Sequence, residues 1–188
     1  TYRDDDVPFQ GVRSFAVEEA TENLFVPPFD IVYENLDVSV PDPTGKFDTV
    51  FRANPSSVPS YIYNNIQTTI DSPYSGQVWC YVSPDFDGGG DVRIVGSSAS
   101  GYNGLANFSA IYDLSRKGTW QLLKDENVLA TSTSSRIVLN ITSSFTQGYV
   151  LFARQQLEQK PFATSFVDGS RPKGRLVIPV EDLKFDIA

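Results

Sequence analysis

The sequence has no histidine and no methionine, and holds one cysteine and two tryptophans in 188 residues. Without an imidazole there is no Ser-His-Asp or Cys-His catalytic pair, no His-ligated metal and no zinc hydrolase, because each uses that ring as base or ligand. The lone Cys80 has no internal disulfide partner. Its setting, Val78-Trp79-Cys80-Tyr81-Val82, is that of a small buried hydrophobe rather than a reactive thiol. Basic residues are also scarce: 15 Lys+Arg against 23 Asp+Glu leave a net charge of −8. The scattered Arg171, Lys173 and Arg175 are the nearest approach to a basic run, so nucleic acid is not an expected partner. No apolar run approaches the about 20 residues of a membrane span. The polar start Thr1-Tyr2-Arg3-Asp4-Asp5-Asp6 is unlike a signal peptide and reads as a mature chain or a fragment. Helical periodicity is missing as well, since the one compatible window, Arg154 to Lys160, is too short and too weakly periodic.

What the chain does contain is alternation. Ile62, Ile66 and Ile70 fall on one face of a predicted strand, with Tyr61, Tyr63 and Gln67 on the other. Val78, Cys80 and Val82 oppose Gln77, Trp79 and Tyr81, while Phe108, Ala110 and Tyr112 oppose Asn107, Ser109 and Asp113. Separate short strands are expected over Thr119 to Leu123 and Val128 to Thr131. Ile137, Leu139 and Ile141 point inward from the clearest strand, and Gly148 to Glu158 forms a long one. Short strands punctuated by Pro-Asp, Asp-Gly-Gly-Gly and Ser-rich turns predict an all-β, antiparallel β-sandwich of jelly-roll type. Residues 1–15 read as an N-terminal arm and residues 16–171 as the sandwich. Residues 172–188 read as a turn followed by an apolar strand, Arg175-Leu176-Val177-Ile178-Pro179, suited to the start of a following domain.

Two segments carry a family resemblance. Ala16-Val17-Glu18-Glu19-Ala20-Thr21-Glu22-Asn23-Leu24 resembles an opening signature. Gln156-Leu157-Glu158-Gln159-Lys160-Pro161-Phe162-Ala163-Thr164-Ser165-Phe166-Val167-Asp168-Gly169-Ser170-Arg171 resembles a closing one. Both are similar to those of the carbohydrate-binding-module-like, or galactose-binding-like, jelly rolls of phage virion proteins, and Gly118-Thr119-Trp120-Gln121 resembles the strand between. The likeness covers Gly11 to Arg171. It implies a non-catalytic domain of a tail fibre, appendage or capsid-surface fibre, exposed on the virion, that binds a surface glycan. It also implies contact with other virion proteins and often a laminin-G-like domain to follow, while an acidic, Tyr- and Phe-rich sandwich is expected to form a homo-oligomer such as a trimer. One departure stands out: where relatives carry an Asn-Pro-Ser-Phe-Glu-like segment, this chain has Phe25-Val26-Pro27-Pro28-Phe29-Asp30. Ligand or calcium contacts that relatives make through that loop do not carry over.

A glycan offers an apolar C–H face rimmed by hydroxyls, so its site needs a flat aromatic ring beside planar hydrogen-bonding side chains on a rigid sheet. Gln77, Trp79 and Tyr81 meet that need on one strand face. Arg154 and Gln156, taken to share a face with Phe152, join them as candidates. Trp79 also fits a core position; Trp120, on the same face as Leu122, is expected in the core, and Tyr61 and Tyr63 fit cross-strand packing. Asp85, Asp87 and Asp91 alternate around Gly88-Gly89-Gly90, oxygen-rich enough for calcium yet composed of ordinary turn residues. No other cofactor is expected. A glycosidase needs two carboxylates facing each other at about 5 to 10 Å. Glu18 and Glu19 would point to opposite faces of a strand, and Glu158 is expected to pair with Arg154, so a depolymerase ranks behind a binding module and a purely structural assembly domain.

Overall fold

The computed structural model of this chain describes residues 20–32 and 35–171. The arm, Glu18 and Glu19, and the strand expected over 175–179 lie outside the described residues. Twelve strands are described: β1 (Thr21–Glu22), β2 (Ile31–Val32), β3 (Leu36–Pro41), β4 (Thr49–Ala53), β5 (Ser60–Gln67) and β6 (Pro73–Val82), followed by β7 (Val92–Gly96), β8 (Ser109–Ile111), β9 (Trp120–Leu129), β10 (Ser134–Ile141), β11 (Val150–Glu158) and β12 (Ser170–Arg171). A single 3₁₀ turn, Leu114–Arg116, is the only helical element among the described residues.

The protein is an all-β, antiparallel jelly-roll sandwich. One five-stranded sheet runs β2-β5-β10-β7-β8 and the other β3-β4-β11-β6-β9, with β1 and β12 paired at one end. The most strongly alternating sequences became central strands. In β10, Ile137, Leu139 and Ile141 are buried between the sheets, and in β6 the same is true of Val78, Cys80 and Val82. Burial holds the Cys80 thiol pKa well above its ordinary value, which suits an inert packing residue.

Two expectations change. The stretches around Thr119 and Val128 are one continuous strand, β9, because β6 pairs with it from Trp120 to Leu129. β9 is an edge strand, where the intervening Lys124, Asp125 and Glu126 cost nothing in burial and discourage further pairing. Ile70 lies beyond the end of β5 and is half exposed. As expected, the window beginning at Arg154 continues a strand, β11, and then gives way to an irregular turn.

The opening and closing signatures meet in space. Thr21 pairs with Arg171 and Glu22 with Ser170. Asn23 Nδ2 donates to the Gln155 carbonyl at 2.9 Å, while Asn23 Oδ1 accepts from the Phe25 and Leu157 amides. At the core of this clasp, fully buried Glu158 accepts from Thr21 Oγ1, Gln156 Nε2, Thr164 N and Thr164 Oγ1.

At the end of β7 the chain passes so close to residue 105 that a Cβ on Gly96 would collide with the Leu105 carbonyl. Gly96→Ala is therefore expected to destabilise the domain by about 1–3 kcal/mol, the usual cost of overpacking. Chemical denaturation checks this, and an unchanged midpoint would contradict it.

Candidate functional site

Alternation in β6 puts Trp79 and Tyr81 on the outer face of the β3-β4-β11-β6-β9 sheet, opposite the three residues that enter the core. Strand pairing then decides their neighbours. One row across the sheet reads Asp37, Arg52, Leu151, Tyr81 and Trp120; the next carries Ala153, Trp79 and Leu122, with Val40 paired to Val50 beyond. Small or aliphatic residues on β4 and β11, namely Val50, Leu151 and Ala153, form a buried floor under half-buried rings.

A further ring, Phe47, arrives from the loop between β3 and β4. Asp42 folds that loop by accepting from the amides of Thr44 at 2.8 Å, Lys46 at 3.0 Å and Phe47 at 2.9 Å. Asp, Pro and Gly in Asp42-Pro43-Thr44-Gly45 are natural turn formers, and Gly45 takes the required positive φ of 75°. The result lays Phe47 against Trp79 at 6.2 Å and edge-on to Trp120 at 4.9 Å. Trp120 Nε1 donates to Thr44 Oγ1 at 2.8 Å, pinning the loop to the sheet. From Trp120 the chain of rings continues to Tyr81 at 5.6 Å and to Tyr149 at 6.1 Å.

Cations rest on this ribbon. Lys46 Nζ sits 3.6 Å from the Trp79 ring centre, Arg52 lies 4.7 Å over Tyr149, and Arg154 lies 5.0 Å over Phe47. Such contacts are worth about 0.5–1 kcal/mol at exposed sites, so a ligand can displace a flexible lysine. Burial first, and the neighbouring Tyr149 second, raise the Tyr81 phenol pKa, which keeps it a neutral hydrogen-bond donor near pH 7. Rigid rings with polar tips beside planar guanidinium donors can stack on sugar C–H faces and bond hydroxyls at little entropic cost.

The expected site residues are divided by the structure. Trp79 and Tyr81 occupy the open aromatic face. Trp120, expected in the core, stands with them, since the face it shares with Leu122 is the outer one. Arg154 does not share a face with Phe152: β11 bulges between Ala153 and Gln156, and Arg154 takes a positive φ of 52° that swings its guanidinium toward Phe47. Phe152 itself is in the inter-sheet core. Gln156 is fully buried; its amide donates to Glu158 and its carbonyl oxygen accepts from the Val167 amide, so it is a structural residue. Gln77 is half-buried and donates to the Thr164 carbonyl at 2.9 Å, beneath the closing segment. Glu158 is enclosed by the clasp rather than set beside Arg154. Phe47, Lys46, Arg52, Trp120 and Tyr149 join the face without having been singled out for it by sequence.

Tyr61 and Tyr63 stack at 6.1 Å on the opposite sheet, where Arg136 covers Tyr63 at 4.1 Å. In the acidic turn, Asp87 accepts from Thr146 Oγ1 at 2.6 Å and from the Thr146 and Gln147 amides, while Asp91 pairs with Arg93 at 3.4 Å. Among the described residues no three His, Cys, Asp or Glu side chains gather as a metal-binding group, so Asp85, Asp87 and Asp91 give the calcium expectation no geometric support. The Thr146 hydroxyl bond leads the effects that hold the Asp87 pKa below its ordinary value. A depressed carboxyl pKa stabilises the fold above the unfolded aspartate value, about 3.9, and that contribution is lost as pH falls through the lower folded value. An NMR titration is expected to show Asp87 titrating below the ordinary aspartate value and moving up in Thr146→Val; coincident titration in both proteins would contradict this.

No protein-family model matches the sequence, and no curated protein matches it. Solved structures with a similar architecture include TmCBM61 in complex with β-1,4-galactotriose, at 8% identity and a TM-score of 0.47, covering 68% of this chain and 83% of that one. A family 16 carbohydrate-binding module is similar at 12% identity and a TM-score of 0.43, covering 63% of this chain and 82% of that one. The enzymatically active domain of bacteriophage CBA120 tailspike protein 4 is similar at 15% identity and a TM-score of 0.43, with 74% of this chain matching 18% of that one.

Proposed function

We propose that this chain is a non-catalytic carbohydrate-binding domain that holds a polysaccharide across the outer face of the β3-β4-β11-β6-β9 sheet. The observation that carries the reading is the continuous ribbon of half-buried rings from Trp79 through Phe47, Trp120 and Tyr81 to Tyr149, set on an aliphatic floor and flanked by Lys46, Arg52 and Arg154. Such a ribbon is unfavourable as a bare surface, because ring faces left in water forgo the stabilisation that burial gives, and a contiguous patch of this kind marks an interaction site. A glycan chain matches it in shape and in chemistry. The resemblance of the opening and closing segments extends the proposal to a phage appendage exposed on the virion, acting beside other virion proteins, and the acidic, Tyr- and Phe-rich composition extends it to a homo-oligomer.

The test is a titration of the purified chain against an array of neutral and acidic bacterial surface polysaccharides, followed by tryptophan fluorescence. Saturable binding to a subset is the expected result; a folded protein that binds none would overturn the reading. A second reading, an assembly domain, is favoured by the half-exposed Ile31 and Ile111 on strands of the other sheet. Under it, light scattering would report an oligomer whose formation survives loss of Trp79 and Trp120, and polysaccharide would have no effect.

A further inference from the structure

Pairing of β11 with β4 ends at Phe152, and immediately beyond it β11 bulges between Ala153 and Gln156. In the same sheet, β3 bulges between Asp37 and Val40. Each bulge holds a non-glycine residue in the left-handed region, Arg154 at φ 52° and Ser39 at φ 61°. Both residues line one cleft of about 700 Å³. Its size is within the about 300–1,000 Å³ typical of small-ligand sites. Strained residues persist only where their surroundings over-determine them, and they cluster at ligand sites, while bulges re-aim side chains. Two such residues on two strands lining one cavity point to a built site.

The cleft is continuous with the aromatic face, because Phe47 and Ala153 belong to both. Arg154 lies 5.0 Å over the Phe47 ring and 5.9 Å over that of Phe166. Asp48 and Asp168 supply carboxylates to the lining, and among the described residues Arg154 is the one cation in it. We propose that this cleft is a second subsite that encloses one neutral hexose unit, a chain end or a branch, of the polysaccharide lying on the ribbon; the inference rests on the glycan-binding reading above. Aromatic faces suit sugar C–H groups, carboxylates accept from vicinal hydroxyls, and a guanidinium donates to a ring or hydroxyl oxygen. A uronic acid would bring its charge toward two carboxylates and one guanidinium, which disfavours it.

A cleft that contacts one sugar unit from several sides binds a free monosaccharide, whereas an open ribbon needs a longer chain. The whole chain, labelled with ¹⁵N, is titrated by NMR with D-galactose, D-glucose, D-mannose, D-galacturonate and D-glucuronate, and separately with the polysaccharide array. At least one neutral sugar is expected to shift the amides of Ser39, Arg154 and Phe166 saturably and more strongly than either uronate. Arg154→Gly places at this positive φ the residue that most readily adopts it, so the fold is kept while the guanidinium is lost. Binding of that sugar is expected to weaken at least tenfold. Equal or tighter binding of a uronate overturns the inference. So does silence of these amides toward every monosaccharide while a polysaccharide shifts the Trp79 and Trp120 indole signals, an outcome that leaves the ribbon reading standing. If no carbohydrate moves either set of signals, both readings fall.

Discussion

Replacing Trp79 and Trp120 together by alanine is expected to abolish measurable polysaccharide binding in a protein that still folds. Trp120 lies at the centre of the ribbon and Trp79 at one end, each in contact with Phe47, and Trp120 also touches Tyr81. Truncating a central aromatic anchor costs about 2 kcal/mol or more of binding free energy. At 1.4 kcal/mol per tenfold, each single variant should weaken binding by about 30-fold and the pair by far more. The fold should survive, because the rings stand on the floor of Val50, Leu151 and Ala153 and are separate from the inter-sheet core around Phe152 and Leu139. Tyr81→Phe, which keeps the ring and removes the phenol, should cost only a few-fold. Native affinity in the double variant, measured by titration calorimetry, would remove the ribbon from the site.

The second large effect is on stability. Glu158→Ala leaves Thr21 Oγ1, Gln156 Nε2, Thr164 N and Thr164 Oγ1 without their shared acceptor in a site with no solvent exposure. An orphaned buried donor costs about 1–3 kcal/mol, and partial relaxation brings the expected total to about 4 kcal/mol. Domains are stable by only about 5–15 kcal/mol, so this is a large fraction of the whole. The melting temperature should fall by about 10 °C. Glu158→Gln retains one acceptor oxygen but turns an amide N–H₂ toward the remaining donors, so an intermediate loss is expected. Exposed Glu22, one residue along β1 from Thr21, is the control: Glu22→Gln should change little. A melting temperature unchanged in Glu158→Ala would show that the clasp is not held by this carboxylate.

Fold class was legible because burial imposes a period of two, which β5 displays throughout, β6 from Gly76 to Val82, and β10 at every position but Val138. Half of the site was legible for the same reason, since Trp79 and Tyr81 had to oppose Val78, Cys80 and Val82. The remainder depends on facts alternation does not encode. Period two assigns residues to two faces without saying which is core; Trp120 and Leu122 were correctly paired, yet only the register Tyr81 to Trp120 places them outside. One extra residue in a bulge flips every side chain beyond it, and the bulge at Arg154 contains no glycine to announce it. Phe47 sits in a loop where no period operates, and its place depends on the bonds that Asp42 makes. In the closing signature, Gln156 and Glu158 are buried and hydrogen-bonded to Thr21, Thr164 and Val167, an enclosure that alternation along β11 does not encode.

The chain's two tryptophans make the central claim directly observable, because each contributes one indole N–H signal. The most direct measurement is to follow both signals by NMR as a polysaccharide that binds in the array is added to the intact chain. The Trp79 and Trp120 indoles are expected to shift together and saturably, with the Trp120 signal reporting its bond to Thr44. Saturable binding that leaves both indoles unmoved and shifts amides of the opposite sheet, such as those of Tyr63 and Val138, would contradict it.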